Sequence, residues 1–213
     1  ISANYYLCPE ESDSGEENLE ICIDNGTLFE STASGLSIKS IDNTTYTLTA
    51  AHFCNVFRSF RDELGYIRSE IWVIDQNGDN YSAEILYSDS DSDLCLVSSN
   101  MRIEDDIELA SETPEIGEKI YAISSPLSMS EDGILLHFEG FFSGCNSNRN
   151  CFFTIPATSG SSGSIVFNRK GEAIGMIQMV PVGFDSVSLG IGPQSIRSFL
   201  DAASDELEED LSI

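Results

Sequence analysis

Basic residues are scarce in this chain. Ten Lys and Arg stand against 36 Asp and Glu, a formal net charge of −26 in 213 residues. A surface of that sign repels phosphate, which excludes nucleic-acid binding through a basic face. Anionic lipid headgroups repel it for the same reason. Histidine is scarcer still, with 2 in the whole chain. Any mechanism that needs an imidazole must use His52 or His137, and a three-histidine metal site cannot be built within one chain. Long apolar runs are missing too. The longest aliphatic run, Ile134-Leu135-Leu136, is far short of the roughly 20 residues a spanning helix takes, so no membrane span is expected. What is present is core-forming sequence: 41% of residues are hydrophobic and 9% aromatic, an ordinary globular share. The charge is therefore a solvated shell over a packed interior rather than the mark of a disordered chain.

No Cys-x-x-Cys occurs among the 6 cysteines, and neither histidine has a finger-like spacing, so no zinc site is read and no metal or cofactor is expected. An even count permits three disulfides in any of about 15 connectivities. Cys145 and Cys151 bracket a polar hairpin tip, and Cys8 and Cys22 bracket an acidic loop. Cys54 and Cys95 remain, either as a third bridge or as buried thiols. This usage favours an oxidising, extracellular or periplasmic location. The chain opens at Ile1 rather than Met, which reads as a processed product. The sequence does not set an oligomeric state, although strong like charge disfavours casual self-association.

Short β-branched and aromatic runs recur from about residue 21 onward. Tyr46-Thr47-Leu48-Thr49, Ile71-Trp72-Val73-Ile74, Leu94-Cys95-Leu96-Val97 and Ala173 to Gln178 are among them, divided by turn residues such as Asp42-Asn43, Asn77-Gly78-Asp79 and Lys170-Gly171. That pattern predicts an all-β sandwich or barrel. Two segments read as helix: a turn or two within 54–64, and the end of the chain, where Ile196, Phe199, Leu200 and Ala203 recur at helical intervals behind Pro193. The acidic run Asp205 to Asp210 beyond it reads as a solvated, fraying tail.

Three local patterns carry chemistry. Thr49-Ala50-Ala51-His52 ends a strand. Asp93 opens the apolar strand Leu94-Cys95-Leu96-Val97. Ser159-Gly160-Ser161-Ser162-Gly163-Ser164 is a small-residue turn leading into Ile165-Val166. Acyl transfer to a serine needs this set: an imidazole to take the hydroxyl proton, a carboxylate to orient that imidazole, and paired N–H donors for the oxyanion. Ser162 alone among its neighbours has Gly two before and Gly directly after, so the Gly160 and Ser162 amides can aim at one point. Asp89-Ser90-Asp91-Ser92-Asp93 is also similar to the start of a calcium loop, but Leu94 and Asn100 stand where such a loop wants Gly and Glu. His137, within Leu135-Leu136-His137-Phe138, reads as a half-exposed strand residue.

In this order the patterns resemble the trypsin-like serine peptidases, and more closely their bacterial high-temperature-requirement branch, over roughly residues 30 to 200. Ser34-Gly35-Leu36 is similar to the strand before the histidine, Gly117-Glu118-Lys119-Ile120 to the strand opening a second barrel, and Gly190-Ile191-Gly192-Pro193 to the strand before a terminal helix. The resemblance implies two six-stranded antiparallel β-barrels, with the active site in the cleft between them and a C-terminal helix. On that frame residues 1–25 form an acidic extension, 26–103 the first barrel, 104–115 a linker, 116–192 the second barrel, and 193–213 the helix and tail. It also implies an endopeptidase acting on protein or peptide substrates, with His52 as base, Asp93 as orienting acid, Ser162 as nucleophile, and Gly160 and Ser162 as oxyanion donors. Substrate contacts fall on Pro156, Ser159, Gln178 and Val180.

The chain departs from the family pattern at three places. Ser161 stands where zymogen-activated members carry an aspartate. Ser164-Ile165 replaces a glycine-proline. Pro156 stands six before the serine, where Arg/Lys-cutting members carry an aspartate, and this predicts cleavage after a small or medium apolar residue. The alternative is an inactive binding module on the same fold. An esterase of the other serine-hydrolase type is disfavoured because its order is Ser, acid, His.

Overall fold

The computed structural model describes residues 1–7, 27–56, 67–126 and 135–213. The first half contributes β1 (Ser2–Leu7), β2 (Thr27–Thr32), β3 (Leu36–Ile41), β4 (Thr44–Ala50), β5 (Ile67–Ile74), β6 (Asn80–Asp89) and β7 (Leu94–Ser99). These form one seven-stranded sheet in the order β2-β1-β5-β6-β7-β4-β3, curled into half a barrel. The second half contributes β8 (Lys119–Ser124), β9 (Leu136–Cys145), β10 (Asn150–Phe153), β11 (Ile165–Phe167), β12 (Ala173–Met179) and β13 (Ser188–Ile191). These close into a six-stranded barrel in the order β10-β13-β12-β11-β8-β9. The fold is thus all-β with a C-terminal helix, in the chymotrypsin-like arrangement.

Local chemistry explains the elements that frame the cleft. Ile41 pairs with Thr44 across a two-residue turn, and Asp42 and Asn43 both take positive φ (48 and 69). That is the conformation a type I′ hairpin demands and Asn/Asp tolerate best. β4 is buried on both faces from Thr45 to Ala50. A doubly buried strand must satisfy its hydroxyls: Thr47 shares a 2.8 Å bond with Ser37, and Thr49 donates to the Ser34 carbonyl at 2.8 Å. β1 pairs with both β2 and β5. Its Ser-Ala-Asn start is too polar to stand out as a strand in the sequence, although Ala3 is buried in the core.

Three apolar clusters fill the molecule. One belongs to the first sheet, around Phe53, Val73 and Val97. Another fills the barrel, around Ile120, Phe153 and Ile174. The third joins Ile38, Leu48 and Leu96 of the sheet to Met176 and Ile191 of the barrel and to Phe199 and Leu200 of the helix. Residues between the halves pair with both: Ile107 N–H donates to the Ile38 carbonyl at 3.0 Å, and Ala110 N–H to the Ala173 carbonyl at 2.9 Å.

The terminal helix spans Pro193–Leu207 and buries Ile196, Phe199, Leu200 and Ala203, the stripe expected from their spacing. Glu208 ends it in the left-handed conformation. The acidic run does not fray. Helix persists through Asp205 and Glu206, and the chain then folds back so that Leu211 is fully buried in the shared core. Lys39 secures it by donating to the Ser212 carbonyl at 3.0 Å. One leucine among carboxylates outweighs them because the carboxylates stay solvated while about 2 kcal/mol of apolar burial is gained. Among the described residues, no helix is long and apolar enough to cross a membrane.

Candidate active site

β4 delivers His52. The backbone turns helical over residues 51–56, and the turn is anchored on Asp93. Ala51 N–H donates to the Asp93 carbonyl at 3.1 Å, and His52 N–H donates to Asp93 Oδ1 at 2.8 Å. The imidazole follows the main chain, with Nδ1 2.8 Å from Oδ2 and 3.1 Å from Oδ1. One carboxylate thus holds the histidine by backbone and by ring. Nε2 is left as the nitrogen able to exchange a proton, on a side chain 52% exposed.

Asp93 itself sits at φ 51, a left-handed conformation that costs a non-glycine residue on the order of 1 kcal/mol. The loop before it is fixed by Asp89. That carboxylate accepts from Asp91 N–H and Ser92 N–H at 3.1 Å each, and from the Ser92 hydroxyl at 2.6 Å. The Ser92 hydroxyl, helped by the two amides, holds the Asp89 carboxyl below its usual range. Disulfide Cys54–Cys95 then ties the histidine turn to β7. The second bridge, Cys145–Cys151, joins β9 to β10. Cys8 and Cys22 lie outside the described residues.

Two successive tight turns meet at Ser161, and Ser162 stands in the second. Ser161 N–H donates to the Thr158 carbonyl at 2.9 Å and Ser164 N–H to the Ser161 carbonyl at 3.1 Å. The third residue of each turn is glycine with positive φ, Gly160 (85) and Gly163 (89), as a type II turn requires. Gly163 is required twice over, since a Cβ there would lie 2.0 Å from the Ser34 carbonyl oxygen. Ser161, buried at the position where the family pattern departs, accepts the Thr158 N–H at 3.1 Å and so braces the turn. Among the described residues, the N–H groups of Gly160 and Ser162 donate to no protein acceptor. The Ser162 hydroxyl donates to the Gln178 carbonyl at 3.0 Å.

Beside Ser162 opens a cleft of about 410 Å³, lined among others by Ala157, Ser159, Ile177, Val180 and Asp185. Ser159 and Val180 are thus at the cleft. Pro156 is exposed and lies outside the lining, and the neighbouring Ala157 takes that place. The Gln178 side chain turns inward, its amide donating to the Ser92 and Asp93 carbonyls. His137 is exposed on β9, opposite Ile123. Sequence reading missed Asp185, the one charged residue of the lining, because it lies in a turn without strand pattern. It also took Ser34 for a strand lead-in only.

The arrangement joins a carboxylate-held imidazole, a serine at a tight turn, two N–H donors without an acceptor among the described residues, and a side-chain pocket. These are the parts of a serine peptidase. Residues 33–176, about two thirds of the chain, match the family described as the trypsin-like peptidase domain, and the chain belongs to that family. Among solved structures it is similar to the serine endoprotease from Yersinia pestis, at 19% identity and a TM-score of 0.64. The match covers 94% of this chain and 61% of that one, so this chain spans about three fifths of that protein. At such identity the likeness speaks to fold. No curated protein matches.

Proposed function

We propose that the protein hydrolyses peptide bonds through an acyl-enzyme formed on Ser162. His52 Nε2 takes the hydroxyl proton as Ser162 Oγ attacks the substrate carbonyl, then returns it to the leaving amine. Asp93 holds the ring tautomer and stabilises the imidazolium. The Gly160 and Ser162 N–H groups receive the developing oxyanion. Water repeats the cycle in reverse and frees Ser162. The observation that carries this reading is the doubly anchored His52–Asp93 pair standing with two N–H donors that have no other acceptor. In this reading the Ser162 hydroxyl leaves the Gln178 carbonyl and turns to the imidazole.

The cleft favours cleavage after a small or medium apolar residue, since Ala157, Ile177 and Val180 supply its apolar walls. The two disulfides fit an oxidising compartment. A fluorophosphonate probe tests the chemistry: one adduct at Ser162, lost in Ser162→Ala, is expected. Folded protein that takes no label between pH 6 and 9 is the inactive binding module instead. A peptide library then reads the pocket, and preference for large aromatic residues would refute its assignment.

A further inference from the structure

Ser34, buried between β2 and β3, touches the nucleophile turn at two points. Its hydroxyl donates to the Gly160 carbonyl at 2.8 Å. Its N–H donates to the Ser162 carbonyl at 2.9 Å. The same hydroxyl accepts the Ser125 N–H at 3.0 Å, just past the end of β8, and lies 3.5 Å from the Ser124 hydroxyl. Its carbonyl accepts the Thr49 hydroxyl at 2.8 Å. One residue of the first half is therefore bonded to the strand that leads to His52, to the second barrel, and to both residues whose amides find no acceptor among the described residues.

The consequence for those amides is geometric. Gly160 takes φ 85, and glycine of itself resists rotation of its flanking peptides least of all residues. Its orientation must come from outside. The peptide between Gly160 and Ser161 is held at both ends, the carbonyl by the Ser34 hydroxyl and the N–H by the Thr158 carbonyl. With that plane fixed, the Gly160 N–H, which belongs to the preceding peptide, can turn only about the two backbone bonds of Gly160 itself. The Ser162 carbonyl is likewise tied back by the Ser34 N–H. Among the described residues, no other donor reaches the Gly160 carbonyl.

We propose that Ser34 is a positioning residue that fixes both oxyanion donors from behind, its hydroxyl setting Gly160 and its N–H setting Ser162. The inference rests on the reading of those two amides as the oxyanion site. Donors help a transition state in proportion to how little they must reorganise when charge appears. Loss of the hydroxyl loosens one of them without touching the pocket that binds the substrate side chain. The main-chain bond to Ser162 survives any side-chain substitution, so the two halves of the device can be separated.

The test uses the full chain and the variants Ser34→Ala, Ser34→Thr and Ser34→Cys, with Ser37→Ala as a control for loss of a part-buried hydroxyl elsewhere. In Ser34→Ala, kcat is expected to fall about tenfold, less than the roughly 10²–10³ lost when a donor is deleted outright, while KM moves less than about twofold. Affinity for a peptide boronate, which forms a tetrahedral adduct on the serine, falls by the same factor, and affinity for a cleaved product peptide does not. Ser34→Thr restores the hydroxyl and most of kcat, and Ser37→Ala matches the unmodified protein. If Ser34→Ala does not fold, Ser34→Cys keeps the volume with a weaker donor, and its kcat is expected to drop at least about fivefold. Failure of the unmodified protein to label at Ser162 overturns the site assignment and this inference together. Labelling and turnover in the unmodified protein, with kcat and boronate affinity unchanged in folded Ser34→Ala or Ser34→Cys, overturn this inference alone.

Discussion

Gln178 of the second barrel holds Asp93 of the first sheet. Its Nε2 donates to the Asp93 carbonyl at 3.1 Å and to the adjacent Ser92 carbonyl, while its own carbonyl accepts the Ser162 hydroxyl. The residue therefore braces the acid through its side chain and parks the nucleophile through its main chain. Gln178→Leu removes only the first function, taking the amide donor from the Ser92 carbonyl and leaving the Asp93 carbonyl with the Ala51 N–H alone, a loss of about 1–3 kcal/mol. The expected kinetic signature is a kcat about tenfold lower at nearly constant KM. A rise in KM alone would return Gln178 to the substrate-contact role that its position in the sequence suggests.

Asp93 accepts three bonds from His52, two from the ring and one from the backbone. Asp93→Asn preserves the shape but offers an amide donor where the imidazole also donates. The ring then settles in the wrong tautomer, and kcat is expected to fall by on the order of 10⁴ near neutral pH. Turnover measured from pH 6 to 10 on a cleaved peptide checks this, and a loss below about tenfold would show that Asp93 does not orient the base.

The Asp89 carboxyl is held below its ordinary 3.8, first by the Ser92 hydroxyl and then by two loop amides. A depressed carboxylate contributes stability that is present above its unfolded pKa and lost as pH falls through the lowered one. Asp89→Asn is expected to melt about 2 °C lower at pH 6, a small gap because the group is partly solvated. The gap should be narrower at about pH 3, inside the carboxylate range, because the stabilisation is lost as the carboxylate is protonated. Melting curves of both proteins at the two pH values decide it, and a gap that does not narrow rules out the carboxylate as its source.

The two disulfides differ in the chain they close. Cys54–Cys95 spans 41 residues and Cys145–Cys151 spans 6. In the chain-entropy account, the first contributes about 4 kcal/mol and the second about 2. Replacing Cys54 and Cys95 together by Ala should lower the melting temperature by about 10 °C, roughly twice the effect of replacing Cys145 and Cys151. Equal effects would mean that the long bridge works through the native state instead.

Much of this architecture could be read locally. β4, β7 and β12 announce themselves as β-branched runs, the turn at Asp42-Asn43 as a hairpin signal, and the terminal helix as the stripe Ile196, Phe199, Leu200 and Ala203. His52 and Asp93 are brought together as their motifs led one to expect. The features that stayed hidden depend on partners far along the chain. β1 is a strand because β2 and β5 flank it. Ser34 looks like any loop serine until Gly160, 126 residues later, offers it a carbonyl. Gln178 alternates correctly for a cleft-facing side chain, yet the Ser92 and Asp93 carbonyls draw its amide inward. Local pattern records burial and turn chemistry, whereas these contacts are set by how two sheets dock.

The burial of Leu211 among Ile38, Leu48 and Leu96 has a kinetic meaning. A ribosome releases the first sheet long before it makes Leu211, and Lys39 waits 173 residues for the Ser212 carbonyl. Until then part of the sheet's apolar face has nothing to cover it. At roughly 5–20 residues per second, the nascent first half spends about 6 to 22 seconds in that state. The dense negative charge of the chain is well suited to that interval, because it holds half-made copies apart while the hydrophobic face is still open.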